Sequence, residues 1–163
     1  MKLRELKNKD AEYMYEWMHD KNVIKNLNTD FMSKTIQNCY EFIDVSKNNV
    51  ADFNLAIVDD FDEYMGTVSL KHIDEINSIA EFAITVRSCA MGKGFSRYAM
   101  KEIMRIGHDE LKIKNIYWCV AKENVRAIKF YDKNGYKRIQ DVPNKLQNMY
   151  SVELIKKLIW YCS

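Results

Sequence analysis

The sequence predicts an α/β fold of the α+β kind: a central mixed, mostly antiparallel sheet of about seven strands flanked by about four helices. Three observations predict it. Strand-period and helix-period segments follow one another in the order β-α-α-β-β-β-α-β-α-β-β. Three consecutive strands with short links suggest an antiparallel meander. Further on, a strand-helix-strand unit needs a crossover, and that places two strands parallel. The 163 residues, 47% hydrophobic and 12% aromatic, suffice to fill one core. One proline and five glycines leave no room for a linker, so residues 1–163 are expected to form a single domain.

The elements follow in order. Residues 2–6 read as a short strand, and Asn8 or Asp10 then caps a helix whose apolar stripe holds Ala11, Met14, Tyr15 and Met18. Ser33 or Thr35 caps a second helix through Ile36, Cys39, Tyr40 and Ile43, which ends in the polar run from Ser46 to Asn49. Residues 53–58 and 65–73 read as strands flanking an acidic turn, Asp59 to Glu63, and residues 79–86 as a third. The helical period returns over residues 94–111, followed by a Tyr- and Trp-bearing strand at 115–121. A short helix over 124–134 is closed by Gly135, and two last strands are expected at 136–141 and 149–160.

Composition removes several function classes. Twenty-five Lys and Arg against 23 Asp and Glu leave a net charge of +2, so nucleic acid is a poor default partner. No stretch approaches the ~20 apolar residues of a membrane helix, and the N-terminus has no apolar signal region, so a cytoplasmic chain is expected. Cys39, Cys89, Cys119 and Cys162 stand far apart, without the close pairs of a zinc site, and read as free thiols. No metal is expected.

One loop carries the chemistry. From Ile84-Thr85-Val86 the chain passes through Gly92-Lys93-Gly94 into the helix that begins Phe95-Ser96-Arg97. Glycines let backbone approach a phosphate, and the free N–H groups and positive dipole end of the following helix favour an anion there. A P-loop is excluded, because Gly94 follows Lys93 where Ser or Thr is needed and no Gly stands at the earlier position of the pattern. A dinucleotide fingerprint is excluded too, since Arg97 occupies the third Gly position and the preceding meander is not a Rossmann sheet.

The segment Met91 to Ser96 resembles the acetyl-CoA motif of the GNAT (general N-acetyltransferase) superfamily, Arg/Gln-x-x-Gly-x-Gly/Ala, with Gly94 as its middle glycine. Met91 departs from the expected Arg or Gln, and Ser96 from the final small residue. A second stretch is similar to the superfamily's next motif: Asn124 as helix cap, then Ala127, Tyr131, Gly135 and Tyr136 in order. The resemblance extends over the whole element order. Within the superfamily, Tyr15-Glu16-Trp17-Met18 followed by Val23 and Ile24 is loosely similar to a branch that acetylates polypeptide N-termini and nucleotide-linked amino sugars.

The resemblance implies an acetyl-CoA-dependent N-acetyltransferase acting on a primary amine by direct attack on the thioester. It also implies a sheet splayed between its fourth and fifth strands. Pantetheine would bond to backbone of Ile84, Thr85 and Val86, phosphates would rest on Met91 to Arg97, and Asn124 and Tyr131 would complete the cosubstrate site. Tyr131 is implied as the general acid for the thiolate, or as an aromatic wall. Glu81, on the strand leading to the motif, is the candidate base, with a solvated carboxylate as the alternative. His72 and His108 read as surface or core histidines. The amine would enter by the first two helices and the loop from Lys21 to Lys34. The acidic turn is either a solvated hairpin end or a lure for a cationic acceptor. A CoA-binding or interaction module without turnover is the alternative reading of the same fold. Oligomeric state is left open, a homodimer being one arrangement.

Overall fold

The computed structural model describes all residues, 1–163. Its centre is a seven-stranded sheet in the order β1-β2-β3-β4-β5-β7-β6. Strands β1 (Lys2–Glu5), β2 (Phe53–Val58), β3 (Tyr64–Asp74) and β4 (Ile79–Val86) are antiparallel neighbours, so the expected meander is present. The single parallel pair joins β4 to β5 (Asn115–Ala121) across α4 (Phe95–Arg105), whose last turn continues as a π turn at Ile106–Glu110.

Helices cover both faces of the sheet. On one side α1 (Ala11–Met18), the short α2 (Lys21–Ile24) and α3 (Ile36–Ser46) bury Met14, Trp17, Cys39 and Ile43 against Ala56, Val58 and Tyr64. On the other, α4 sets Ala99, Met100 and Ile103 against Val68, Leu70, Phe82 and Ile116. The helix α5 (Val125–Lys133) packs on the same side through Tyr131. Its ends are those the sequence dictates. The Asn124 side chain accepts the Ala127 N–H at 3.2 Å, and Gly135, at φ +81°, reverses the chain after the helix.

The C-terminal third departs from expectation. Residues 149–160 are not one strand. The chain forms α6 (Asn144–Gln147), α7 (Val152–Ile155) and only then β7 (Leu158–Cys162), while β6 is confined to Lys137–Ile139. Local hydrogen bonding wins here: Ser151 caps α7 by accepting the Leu154 N–H at 3.2 Å, which is competition an extended reading does not weigh. The strand β7 then enters between β5 and β6.

Candidate active site

The site begins where two strands part. Strands β4 and β5 are paired only at Ile79–Asn115, Ala80–Ile116 and Glu81–Tyr117, after which β4 continues to Val86 beside no partner on that side. The ladder to β3 decides which groups are exposed by this divergence. Arg87 donates to the Met65 carbonyl at 2.9 Å, so odd-numbered residues of β4 bond to β3 and the backbone of Phe82, Ile84 and Val86 faces the opening. The expectation for Thr85 is therefore corrected: its backbone belongs to the ladder with Thr67, and its side chain lines the cleft instead.

The open edge leads through a short 3-10 turn into the glycine loop. Gly92 and Gly94 adopt φ +79° and +89°, conformations that L side chains rarely take, which is the physical reason for both glycines. No acceptor within the protein is bonded to the N–H of Gly92, Gly94, Phe95, Ser96 or Arg97. Met91 and Lys93 do not share in this. Their N–H groups are held by Ser88 and Ala90 carbonyls at 3.2 and 3.3 Å, because a 3-10 turn at Ser88–Ala90 precedes the loop. The guanidinium of Arg126, on α5, donates to the Met91 sulfur at 3.0 Å and thereby comes to stand over the loop.

The cleft between the parted strands has a volume of about 1340 Å³ and is lined by the loop, the open edge of β4, β5 and the start of α5. Asn124 reaches it, although its side-chain oxygen is engaged in capping α5. Tyr131 forms part of its wall and is 7% exposed, packed among Trp118, Tyr136 and Tyr161 with ring centroids 5.1–6.4 Å apart. Burial pushes its phenol above the ordinary tyrosine value, so it stays protonated through neutral pH. Cys119 is also in the wall, its thiol pushed up to about 11 by burial.

Glu81 lies at the cleft, 7% exposed, on the strand face it shares with Ala83 and Thr85. Two groups hold its carboxylate. The Tyr150 hydroxyl donates to Oε1, and His72 Nε2 stands 3.6 Å from Oε2. Neither partner is found by sequence reasoning. His72 occupies a bulge in β3, between the Lys71 and Asp74 pairings, at φ +52°, and Asp52 accepts its N–H at 2.9 Å. Tyr150 lies between α6 and α7, in the segment expected to be strand. His108, by contrast, is tied to the Ile113 carbonyl and Ser163, away from the cleft.

A second arm of about 430 Å³ opens from the same floor, between the sheet face of β3 and β4 and the helices α1 and α3. Trp17 forms one wall. Its N–H donates to the Tyr64 hydroxyl at 3.2 Å, which in turn bonds Thr67 at 2.7 Å, and Phe31 meets the indole edge-on at 4.9 Å. Arg87 pins α1 to the end of β4 by pairing with Glu16 and Glu63 while its guanidinium lies over the Tyr13 ring. The acidic turn is used up locally: Asp60 pairs with the N-terminus, Asp62 with Arg4 and Lys9, and Glu63 with Arg87. It lines neither arm.

An open strand edge beside a loop of unbonded amides, with a second arm reaching the same floor, suits an acyltransferase that draws its acyl group from a coenzyme A thioester. Residues 1–137 match the family model described as an acetyltransferase (GNAT) domain, and the chain belongs to that family. It is an acetyl-CoA-dependent N-acetyltransferase. An uncharacterized N-acetyltransferase p20 of Bacillus licheniformis is 27% identical over 95% of this chain and 92% of its own length. Spermidine N(1)-acetyltransferase of Escherichia coli (strain K12) is 28% identical over 83% of this chain and 72% of its own length. The fold is similar to that of the crystallised spermidine N-acetyltransferase from Vibrio cholerae in complex with CoA and spermine: TM-score 0.76 and 22% identity, covering 86% of this chain and 83% of that one. No helix is long and apolar enough to cross a membrane.

Proposed function

We propose that the chain transfers the acetyl group of acetyl-CoA to a primary amine by direct attack, with the cosubstrate in the β4–β5 cleft and the amine in the arm between α1 and α3. The observation that carries this reading is the continuity of the open β4 edge with the free N–H groups of Gly92 and Gly94 to Arg97. Those amides suit a pyrophosphate, and the helix dipole of α4 adds to them. Met91 brings no polar side chain, and Arg126 supplies positive charge in its place, with Arg97 lining the same cleft. Thioester pantetheine fits an edge that offers alternating N–H and C=O groups at Phe82, Ile84 and Val86.

Residue roles follow from position. Glu81 takes the proton that the amine loses as nitrogen bonds to the acetyl carbon. His72, its side chain 41% exposed, gives that proton a way from the buried carboxylate to solvent. An N–H of the open β4 edge stabilises the carbonyl oxygen as it gains charge, an effect typically worth about 2.7–4 kcal/mol. Tyr131 then protonates the sulfur as the carbon–sulfur bond breaks.

Cys119 favours a second reading, an acetyl-enzyme formed on its thiol, because that thiol lies in the same wall. A thiol held near 11 is almost wholly protonated at neutral pH and is a poor nucleophile, which supports direct attack. The relatives named for an acceptor take spermidine, which supports an amine acceptor. Neither polypeptide N-termini nor nucleotide-linked amino sugars, the narrower expectation from the first helix, appear in those names. Calorimetric titration with acetyl-CoA beside a thiol-release assay on an amine panel tests the proposal. Binding without thiol release from any amine would leave only a CoA-binding module.

A further inference from the structure

The charges in the acceptor arm favour an acceptor of different chemistry from a polyamine. Its walls are Met14, Trp17, Met18, Phe31, Phe42 and Val45, an apolar sleeve that suits the body of a small organic molecule. Only three charged side chains line it: Lys34, Lys71 and Glu41. Glu41 is engaged by Asn38, whose amide donates to it at 3.2 Å. Lys34 and Lys71 form no ion pair, and Lys71 lines both the arm and the cleft, registered across the ladder from Glu81. A polyamine would set its further ammonium groups against these two lysines with one carboxylate to meet them, and like charges in a partly desolvated arm repel.

We infer that the acceptor is a primary amine with an apolar or aromatic body that carries an anionic group, recognised by Lys34 and Lys71. This inference rests on the transferase reading above. Sleeve and lysines then divide the work: Trp17, fixed through Tyr64 and Thr67, meets the body, and the ammonium groups meet the anion. A cation at Lys71 beside the reacting centre also favours the neutral, nucleophilic form of the amine.

The test uses a matched pair, 4-(aminomethyl)benzoate and benzylamine, with spermidine as the third acceptor, each followed by thiol release at fixed acetyl-CoA. The pair shares the amine and the ring and differs in the carboxylate. The expected result is kcat/KM at least about tenfold higher for the carboxylate than for benzylamine and higher than for spermidine, roughly the worth of one good charge-assisted contact. In Lys34→Gln and Lys71→Gln the ratio between carboxylate and benzylamine should fall, and Lys34→Glu/Lys71→Glu should turn the preference toward spermidine. Equal rates for the matched pair, or a parent that prefers spermidine, would overturn the inference while leaving the transferase intact. Thiol release from none of the three, with acetyl-CoA bound, would overturn the inference as well, and the transferase reading would then be judged by the wider amine panel.

Discussion

The two arms of the cleft are made of different material. The arm proposed for the cosubstrate is backbone: the unpaired edge of β4 and the amides of Gly92 and Gly94 to Arg97. The acceptor arm is side chain, assembled from α1, α3, β3, β4 and the segment holding Phe31 and Lys34. Backbone offers the same groups whatever the residue, so the first arm depends on a few positions where only glycine can take the turn. The second arm depends on which side chains happen to meet. One arm is thus suited to a fixed thioester and the other to an acceptor selected by its side chains.

Substitutions should separate the arms, and the largest effect is expected at the carboxylate of the larger cleft. Glu81→Gln removes the proposed proton acceptor while keeping the shape of the side chain, so kcat should fall by about 10²–10⁴-fold with acetyl-CoA affinity unchanged by calorimetry. A parent-like kcat would show that the proton leaves by another route. In the cosubstrate arm, Gly94→Val forces a β-branched residue to φ +89°, at a strain of about 1–3 kcal/mol. A Cβ there would meet only the Met1 methyl at 3.8 Å, so the fold should survive. Acetyl-CoA affinity should therefore drop by about tenfold or more in a folded variant.

Tyr131→Phe keeps the ring packed among Trp118, Tyr136 and Tyr161 and deletes one proton. Because a thiolate is a tolerable leaving group, a loss in kcat near tenfold is expected, below the range typical of general acids. Burial raises the phenol, so it is lost as an acid only as pH rises past the ordinary value of ~10. Any alkaline limb due to Tyr131 must lie above that value, and the variant should lack it. A parent-like kcat and pH profile would leave Tyr131 as a wall alone. The smallest effect is predicted for Arg126→Ala: about two- to fivefold weaker acetyl-CoA binding, diminishing further as salt is raised, in keeping with an exposed charge.

The same contrast explains what the sequence made legible. Strand and helix periods located the meander, the crossover and α5, and the pair of glycines marked the cradle, because positive φ leaves a residue-level signature. Glu81 could be placed on a strand face by alternation alone. Its partners could not. His72 reaches it through a bulge that breaks the alternation, and Tyr150 through a turn between two short helices, the second of them capped by Ser151. Arg126 reaches the Met91 sulfur across 35 positions of sequence, a contact visible only in space. Nothing in the sequence pairs Lys34 with Lys71, which the segment before α3 and the strand β3 bring to one arm.

Direct transfer between the two arms is tested most directly by initial velocities measured with acetyl-CoA and an amine both varied, together with the intact mass of the protein after acetyl-CoA alone. Direct attack requires both substrates bound at once, so the reciprocal plots should intersect and no acetylated protein should accumulate. Parallel lines, with an acetyl group recovered on Cys119, would contradict it.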